Sequence, residues 1–233
     1  MRRDVLGRAL RDYLDGKHDE KLLLHTGYGD VEEMPVEEFF RPSEDFPELE
    51  RIAMALCDGH VLDIGAGAGS HALHLQKRGM EVTALERSPQ ACAVMRARGV
   101  QRVVQADFLE YQGSGYDTLL FMMNGIGLAG SLGGLRTLFQ HCRSLLNRGG
   151  QLLFDSSDIA YLYTDGSVEK PAGYYGEIRY QYAYKGARSV PFNWLFVDQE
   201  TLIDIARSEG WVVQILYEDG NDQYLARMEL VNS

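Results

Sequence analysis

The sequence Asp63-Ile64-Gly65-Ala66-Gly67-Ala68-Gly69-Ser70 decides how this chain of 233 residues is interpreted. It follows the apolar pair Val61-Leu62 and precedes an amphipathic stretch, so it predicts the turn between a first strand and a first helix. Glycines at such a turn let a ligand approach the backbone closely, and the N–H groups that open the helix have no partners within it. The stretch therefore predicts a site for a nucleotide-like ligand.

Two acidic residues follow this turn at equal intervals. Glu86 lies 21 residues after Gly65, and Asp107 lies 21 residues after Glu86, each just beyond an expected strand. Right-handed crossovers bring the carboxyl ends of parallel strands to one edge of a sheet, so these residues should line a single crevice. Glu86 can accept both hydroxyls of a ribose, and Asp107 can accept from an adenine amino group beside the apolar wall of Phe108. The spacing favours an adenosine-like ligand.

A nicotinamide dinucleotide is the competing ligand. Its fingerprint needs the third glycine three residues after the second, at position 70, where this chain has Ser70; the third glycine here is Gly69. A nicotinamide-dependent oxidoreductase is therefore the weaker alternative function.

The glycine-rich turn and the acidic residues after it resemble the first three motifs of class I S-adenosylmethionine-dependent methyltransferases. The resemblance covers residues 60 to 158 closely and rests on Val61 to Gly69, Glu81 to Ser88, Ala106-Asp107-Phe108, Tyr116 to Leu120, and Leu145 to Phe154 with Arg148-Gly149-Gly150. It implies methyl transfer from S-adenosylmethionine, with S-adenosylhomocysteine as the product.

The resemblance also implies which residues bind this cofactor. Gly65, Ala66 and Gly67 would face the methionine portion, Asp63 would order the loop, Glu86 would bind the ribose, Asp107 and Phe108 the adenine, and Met123 or Asn124 the amino-acid end. The complete implied set is Asp63, Gly65, Ala66, Gly67, Gly69, Glu86, Arg87, Asp107, Phe108, Met123 and Asn124.

The methyl acceptor expected for this chain is a small molecule with an O, N or C nucleophile. Members of the family that methylate amino groups of nucleic-acid bases carry Asn or Asp followed by two prolines and an aromatic residue after the fourth core strand, whereas this chain reads Met122-Met123-Asn124-Gly125-Ile126-Gly127. The small-molecule enzymes share no catalytic motif, so no catalytic residue is assigned. The candidate substrate contacts are Tyr28, Arg41, Asn124 and Asp158. A noncatalytic protein that binds the cofactor is the other alternative.

A metal is not expected at the ends of strands four and five. Asn124 with Asp155 or Asp158 superficially resembles a magnesium site, but strand four offers only an amide, and hard cations prefer several clustered oxygen ligands. His71 and His74, on the helix predicted after the glycine-rich turn, are expected to have surface or core roles.

Charge and composition restrict the partners and the compartment. The net charge is −11, and the segment from Asp30 to Glu50 holds nine acidic residues and one arginine. This balance disfavours a nucleic-acid partner, and it leaves two interpretations of the acidic segment: a solvated face, or the border of a site that prefers cationic ligands. No apolar run suits a membrane span, and Cys57, Cys92 and Cys142 suit reduced core thiols, so the cytoplasm is the expected compartment.

The expected fold is α/β: a Rossmann-like, doubly wound, mostly parallel seven-stranded sheet with an antiparallel C-terminal hairpin, an N-terminal helical cap and an antiparallel insertion after strand five. One methyltransferase domain should span 1–233, with a cap or lid at 1–58, the cofactor-binding core at 59–158, an aromatic-rich insertion at 159–197, and a closing helix and hairpin at 198–233. The first helix is predicted from Arg3 to Leu14, and no element is assigned to Leu22 to Tyr28. Ten of the 24 aromatic residues lie between Tyr161 and Phe196, where they could serve a lid or the contact of a homodimer.

Overall fold

The structure, a computed structural model, describes residues 4–29, 31–164 and 166–231. Arg3, where the predicted first helix begins, and Asp30 of the acidic segment lie outside the described residues. The α-helices are α1 (Val5–Leu14), α2 (Glu48–Leu56), α3 (Ser70–Lys77), α4 (Pro89–Arg98), α5 (Leu132–Leu145) and α6 (Gln199–Ser208). The strands are β1 (Leu23–Thr26), β2 (Glu32–Glu33), β3 (His60–Ile64), β4 (Glu81–Glu86), β5 (Val103–Gln105), β6 (Tyr116–Phe121), β7 (Leu146–Ser157), β8 (Glu177–Tyr184), β9 (Ala187–Arg188), β10 (Phe192–Leu195), β11 (Trp211–Glu218) and β12 (Gln223–Leu230). Short 3-10 helices span Val36–Phe40, Ser43–Asp45, Phe108–Glu110, Gly125–Ala129 and Ala160–Tyr163.

Seven of these strands form a sheet with the order β11-β12-β7-β6-β3-β4-β5. β4 runs parallel to β5 and β6 runs parallel to β7, whereas β12 is antiparallel to both β7 and β11. The Rossmann-like, mostly parallel sheet with an antiparallel C-terminal hairpin is therefore confirmed.

A second sheet is antiparallel and has the order β10-β8-β1-β2, with β9 beside β8. β8 and β10 correspond to the insertion predicted after the fifth strand of the cofactor-binding core, which is β7. No element is predicted from the sequence for β1, which pairs with β8 so that Leu24 lies opposite Tyr182. The N-terminal cap therefore contributes strands as well as helices, because a short apolar run becomes a strand when a partner from far along the chain pairs with it.

The chain forms two compact units. The first comprises Met1–Phe46, Asp63–Tyr111 and Arg179–Phe192, and the second comprises Pro47–Leu62, Gln112–Ile178 and Asn193–Ser233. A core cluster of the first unit consists of Val5, Ala9, Leu10, Leu22, Val36, Ala68, Ala91, Val94 and Tyr184. The second unit buries the large side chains of Phe121, Phe139, Phe154 and Tyr224. The expectation of one domain with four segments stays a prediction.

The cysteines and the helices agree with the expectations of reduced core thiols and of no apolar run that suits a membrane span. Cys57, Cys92 and Cys142 are buried and form no disulfide. Among the described residues, no helix combines the length and the apolar character that crossing a bilayer requires. The cytoplasmic location stays a prediction.

Helix α1 packs on the start of α4, and the residues that cap the N-termini of the two helices are hydrogen-bonded to each other. Asp4 accepts a hydrogen bond from the Gly7 N–H (3.0 Å) with one carboxylate oxygen and from the Ser88 hydroxyl (2.7 Å) with the other. Ser88 in turn caps α4, as its position before Pro89 predicts, by accepting from the Ala91 N–H at 3.0 Å. A Cβ at position 7 would lie 2.2 Å from the Ser88 Oγ atom. Only glycine leaves room for both caps.

Gly7→Ala should destabilise the protein by roughly 1–3 kcal/mol, because the added methyl group displaces the two side chains that cap α1 and α4. Urea unfolding of the variant and the wild type measures this difference. Gly133→Ala is the matched control, since Gly133 is also helical and a Cβ there would meet only the Ser131 Oγ atom, 3.9 Å away. The control should stabilise by about 0.5–1 kcal/mol. Equal unfolding midpoints for Gly7→Ala and wild type would contradict the shared cap.

Candidate functional site

The glycine-rich turn after β3 has a left-handed backbone at alternate residues. The φ angles are +70° at Gly65, +55° at Gly67 and +84° at Gly69, in a region that residues with a Cβ rarely adopt. The N–H groups of Gly65 and Ala66 both donate to the carbonyl oxygen of Leu85, at 2.9 and 3.2 Å. These bonds hold the turn against the end of β4.

Gly69 explains how the turn departs from the dinucleotide fingerprint. A Cβ at this position would lie 2.8 Å from Val100 Cγ2 and 2.9 Å from Met95 Cγ. Gly69 thus provides the close backbone packing that the fingerprint assigns to its third glycine. Position 70 can therefore carry a side chain, and it carries the hydroxyl of Ser70.

Glu86 ends β4 directly beside this turn. Its Oε2 atom accepts from the Gly67 N–H at 3.2 Å, and its Oε1 atom accepts from the Ser88 N–H at 2.8 Å. Burial raises the pKa of Glu86, and these N–H groups act in the opposite direction. A carboxylate has about four acceptor sites, so some acceptor capacity remains for a hydroxyl group of a ligand.

The end of β5 lies next to the end of β4. The Ala106 N–H donates to the carbonyl oxygen of Glu86 at 3.2 Å. Asp107 is exposed and caps the following 3-10 helix by accepting from the Leu109 N–H at 3.1 Å, while Phe108 is buried. The ends of β3, β4 and β5 therefore follow one another along one edge of the sheet, as the spacing predicts, while the ligand crevice itself stays a prediction. Asp107 also has the capping function that is the simpler explanation of an acidic residue at this place.

Asp63 is a buried acceptor near the end of β3. Burial raises its pKa, and His71 and the N–H of Ala72 lower it. Its Oδ2 atom is buried without a hydrogen-bond partner. A buried acceptor of this kind needs a donor, because leaving it unpaired costs about 1–3 kcal/mol.

The acidic side chains of this edge fit S-adenosylmethionine. That cofactor presents ribose hydroxyls, an adenine amino group and an ammonium group, which are hydrogen-bond donors, and it contains no phosphate. When ionised, Asp63, Glu86 and Asp107 accept hydrogen bonds and donate none. An acidic residue at the end of the second strand also suits the ribose of a dinucleotide, so the feature that separates the two ligands is the serine at position 70.

The segment after β6, in the second unit, contains two consecutive non-glycine residues with a left-handed backbone, Met123 (φ +59°) and Asn124 (φ +55°). Asp155 holds this conformation, since its Oδ2 atom accepts from the Asn124 N–H at 2.8 Å and from the Gln223 side chain at 2.9 Å. The Asn124 side chain donates to the carbonyl oxygen of Leu195 at 3.2 Å. Backbone strain of this kind is often retained at functional sites.

Asp155 was considered in the sequence analysis only as a metal ligand. Burial raises its pKa to about 6, the nearby Glu50 raises it further, and the Asn124 N–H and the Gln223 amide lower it. Its Oδ1 atom and the Oδ1 atom of Asn124 are both buried without a hydrogen-bond partner. No sequence signal marks this arrangement, because it depends on a contact between the ends of two strands.

Much of the acidic segment is paired with cations and hydroxyls. In the first unit Glu32 pairs with Tyr28 (3.2 Å), Glu33 with Lys21 (2.5 Å), Glu38 with Arg41 (2.5 Å) and Glu44 with Ser43 (3.4 Å), and in the second unit Glu48 pairs with Arg51. These contacts favour the solvated-face interpretation. Tyr28 and Arg41 thus contact acidic neighbours, and their role as substrate contacts stays a prediction.

The remaining candidates for metal or substrate binding are engaged by protein groups. Asp158, in the second unit, accepts from the Ala160 N–H at 2.9 Å and from the Tyr175 hydroxyl at 2.7 Å. His71 and His74, in the first unit, pack against the Phe46 ring with centroid distances of 5.0 and 5.7 Å. Within the part of the chain that is described, no group of three or more His, Cys, Asp or Glu side chains is arranged to hold a metal ion.

Comparison with known proteins identifies the family. The family model described as a methyltransferase domain matches residues 61–150. A solved S-adenosylmethionine-dependent methyltransferase from Bacteroides fragilis, in complex with S-adenosyl-L-homocysteine, is 37% identical, with a TM-score of 0.90, and the match covers 97% of this chain and 94% of that one. No curated protein matches the sequence.

Two more distant structures share the fold. The CcbJ methyltransferase from Streptomyces caelestis is 14% identical, with a TM-score of 0.62 and coverage of 82% of this chain and 92% of that one. The glycopeptide N-methyltransferase MtfA, complexed with S-adenosyl-L-methionine, is 17% identical, with a TM-score of 0.56 and coverage of 79% and 93%.

The chain therefore belongs to the class I S-adenosylmethionine-dependent methyltransferases. Its cofactor is S-adenosylmethionine, and the product of the cofactor is S-adenosylhomocysteine. This family membership confirms the resemblance found in the sequence, and it removes the support for a nicotinamide-dependent oxidoreductase.

Asp155→Asn should change how stability depends on pH. The pKa of Asp155 in the folded protein, about 6, lies above its ordinary value of 3.8, so its stabilising contribution is complete below about pH 4 and is lost as the pH rises through 6. Relative to the variant, the wild type should lose roughly 3 kcal/mol between pH 4 and 7. Urea unfolding at several pH values gives this difference.

Asp117→Asn is the control for this experiment. Hydrogen bonds from the Asn147 side chain and the His60 N–H lower the pKa of Asp117, so its contribution is lost only as the pH falls below the ordinary carboxyl range. The difference between wild type and Asp117→Asn should stay level from pH 5 to 8. A level difference for Asp155→Asn as well would contradict a raised pKa at Asp155.

Proposed function

We propose that this protein transfers a methyl group from S-adenosylmethionine to a small-molecule acceptor with an O, N or C nucleophile. The observation that carries the proposal is the contact between the left-handed turn and Glu86, in which the Gly67 N–H donates to the carboxylate at 3.2 Å. This contact sets a carboxylate with spare acceptor capacity beside a turn whose glycines let a ligand approach the backbone closely. The cofactor-binding residues proposed are Asp63, Gly65, Ala66, Gly67, Gly69, Glu86, Arg87, Asp107, Phe108, Met123 and Asn124.

The proposed mechanism asks the protein mainly for alignment. When bound, the sulfonium supplies a methyl group that an acceptor nucleophile takes by in-line displacement, so that the new bond to carbon forms as the carbon–sulfur bond breaks and its electron pair stays on sulfur. The turn would face the methionine portion, Glu86 would hold the ribose, and buried aromatic surface would exclude water. Aligning the reactants and excluding water can lower the activation free energy by several kcal/mol. The reaction can therefore proceed without a dedicated general base.

Tyr182 is a candidate for this exclusion of water. It lies on β8 in the first unit, and its ring packs against the core cluster that includes Ala68 of the turn. Burial, reinforced by the negative charge of Glu86, raises the pKa of Tyr182 to about 12. The tyrosine therefore stays neutral near the proposed ribose site at physiological pH.

A small acceptor is favoured by two features of the sequence. The segment after β6 lacks the two prolines and the aromatic residue of the base-methylating members, and a net charge of −11 disfavours a phosphate backbone as a partner. Screening small O, N and C nucleophiles for release of S-adenosylhomocysteine tests the proposal. Turnover only on nucleic acid or on protein would overturn the small-acceptor part.

Glu86→Ala should weaken binding of S-adenosylmethionine and S-adenosylhomocysteine by about 10–100-fold, because hydrogen bonds from the ribose to a charged acceptor are lost. Isothermal titration calorimetry measures the affinities. Glu81→Ala is the matched control, since Glu81 begins the same strand, is exposed, and forms a surface ion pair with Arg102 at 2.6 Å. The control should bind both ligands as the wild type does.

Other calorimetric outcomes would contradict the proposed site. Binding of NADH in place of the sulfonium compounds would mean that the turn serves a dinucleotide. Unchanged affinity in Glu86→Ala would remove Glu86 from the ribose site. Tight cofactor binding with no turnover on any acceptor class would favour a noncatalytic cofactor-binding protein.

Methyl transfer should be unchanged by EDTA. Among the described residues no three or more His, Cys, Asp or Glu side chains are grouped to hold a cation, and one oxygen each of Asp155 and Asp158 already accepts two hydrogen bonds from protein donors. The assay follows release of S-adenosylhomocysteine with and without the chelator on the acceptor that the screen identifies. Loss of activity in EDTA that added Mg²⁺ restores would contradict this expectation.

A further inference from the structure

Arg98, the last residue of α4, connects the N-terminal cap with the glycine-rich turn. Its Nη1 atom donates to the carbonyl oxygen of Ala68 at 2.7 Å and to the Ser70 Oγ atom at 3.2 Å. Its Nη2 atom donates to the carbonyl oxygen of Phe40 at 3.4 Å, and its guanidinium carbon lies 4.9 Å from the centre of the Phe40 ring. Arg98 thus binds the turn, the start of α3 and the cap at the same time.

Ser70 makes a second connection between the same parts. Its hydroxyl donates to the carbonyl oxygen of Phe39 at 2.8 Å. The Phe39 ring lies against the turn, since a Cβ at Gly67 would be 3.2 Å from Phe39 Cδ1. Ser70, which occupies the position of the third glycine in the dinucleotide fingerprint, therefore connects the cap to the turn through its hydroxyl.

The chemistry of this contact suits a guanidinium. Burial lowers the pKa of Arg98, so the charge is partly desolvated and needs acceptors. The planar guanidinium donates to carbonyl oxygens of two different segments, at Ala68 and Phe40, and the Phe40 ring lies beside it. A lysine would keep the charge and lose this simultaneous contact.

The turn requires such support because of its composition. Glycine residues lose the most conformational freedom on ordering, and this turn contains three of them within five residues. A turn that neighbouring groups already hold in its binding conformation loses less entropy when a ligand arrives, and the affinity rises accordingly.

We propose that Arg98 and Ser70 are positioning residues for the cofactor. By binding the carbonyl oxygens of Phe39 and Phe40, they hold the cap segment Val36–Phe40 against the glycine-rich turn and preorganise the turn for S-adenosylmethionine. This inference rests on the proposed role of the turn and of Glu86 in cofactor binding. It assigns a function to the cap that does not depend on the identity of the acceptor.

Calorimetry with S-adenosylhomocysteine tests the inference on Ser70→Ala, Ser70→Thr and Arg98→Lys. Ser70→Ala should bind about 5-fold and Arg98→Lys about 10-fold more weakly, whereas Ser70→Thr, which keeps the hydroxyl, should stay within about 2-fold of wild type. Hydrogen exchange should be faster for the amides of residues 36–41 in the two weakened variants. Unfolding temperatures are measured on the same samples.

Arg96→Ala is the matched control. Arg96 lies two residues earlier on α4, is exposed, and donates to the carbonyl oxygen of Val103 at 3.3 Å. It should bind S-adenosylhomocysteine as the wild type does. Affinities of Ser70→Ala and Arg98→Lys equal to that of Arg96→Ala would overturn the inference, as would a loss of affinity that Ser70→Thr fails to restore.

The Glu86→Ala variant separates this inference from the proposed function. Weakened binding in Glu86→Ala with wild-type affinity in Ser70→Ala and Arg98→Lys would overturn the positioning role alone. Equal affinities of wild type and Glu86→Ala would show instead that the proposed cofactor site is wrong.

Discussion

The first unit depends on the hydrogen bonds that the Glu86 carboxylate accepts from the N–H groups of Gly67 and Ser88. One bond reaches the glycine-rich turn and the other reaches the first residue before α4. Through the hydroxyl of Ser88, the same network continues to Asp4, which caps α1. Because burial works against the charge of Glu86, the carboxylate is stable in this place only while these donors stay aligned.

The N-terminal cap is consequently built into the first unit at two separate places. Asp4 joins it to the start of α4, and the carbonyl oxygens of Phe39 and Phe40 join it to Ser70 and Arg98 at the turn. These contacts connect the cap to the residues proposed to bind the cofactor.

The second unit contains a strained backbone segment after β6. Two left-handed residues follow the strand, and Asp155 holds the second of them by accepting from the N–H of Asn124. Burial of the Asp155 carboxyl group raises its pKa to about 6, so its ionised form is destabilised in the folded protein. A buried carboxyl group that holds a strained backbone segment is a pattern often found at functional sites.

The sequence by itself determined the features that depend on neighbours along the chain. The equal spacing of Gly65, Glu86 and Asp107 predicted adjacent strand ends, because each strand-helix unit is local and its crossover has a fixed hand. Tertiary structure alone decided the pairing of β1 with β8, the contact of Arg98 with the cap, and the buried position of Asp155. Each of these depends on groups that are far apart in sequence, whose approach is determined by packing and desolvation and leaves no local pattern to recognise.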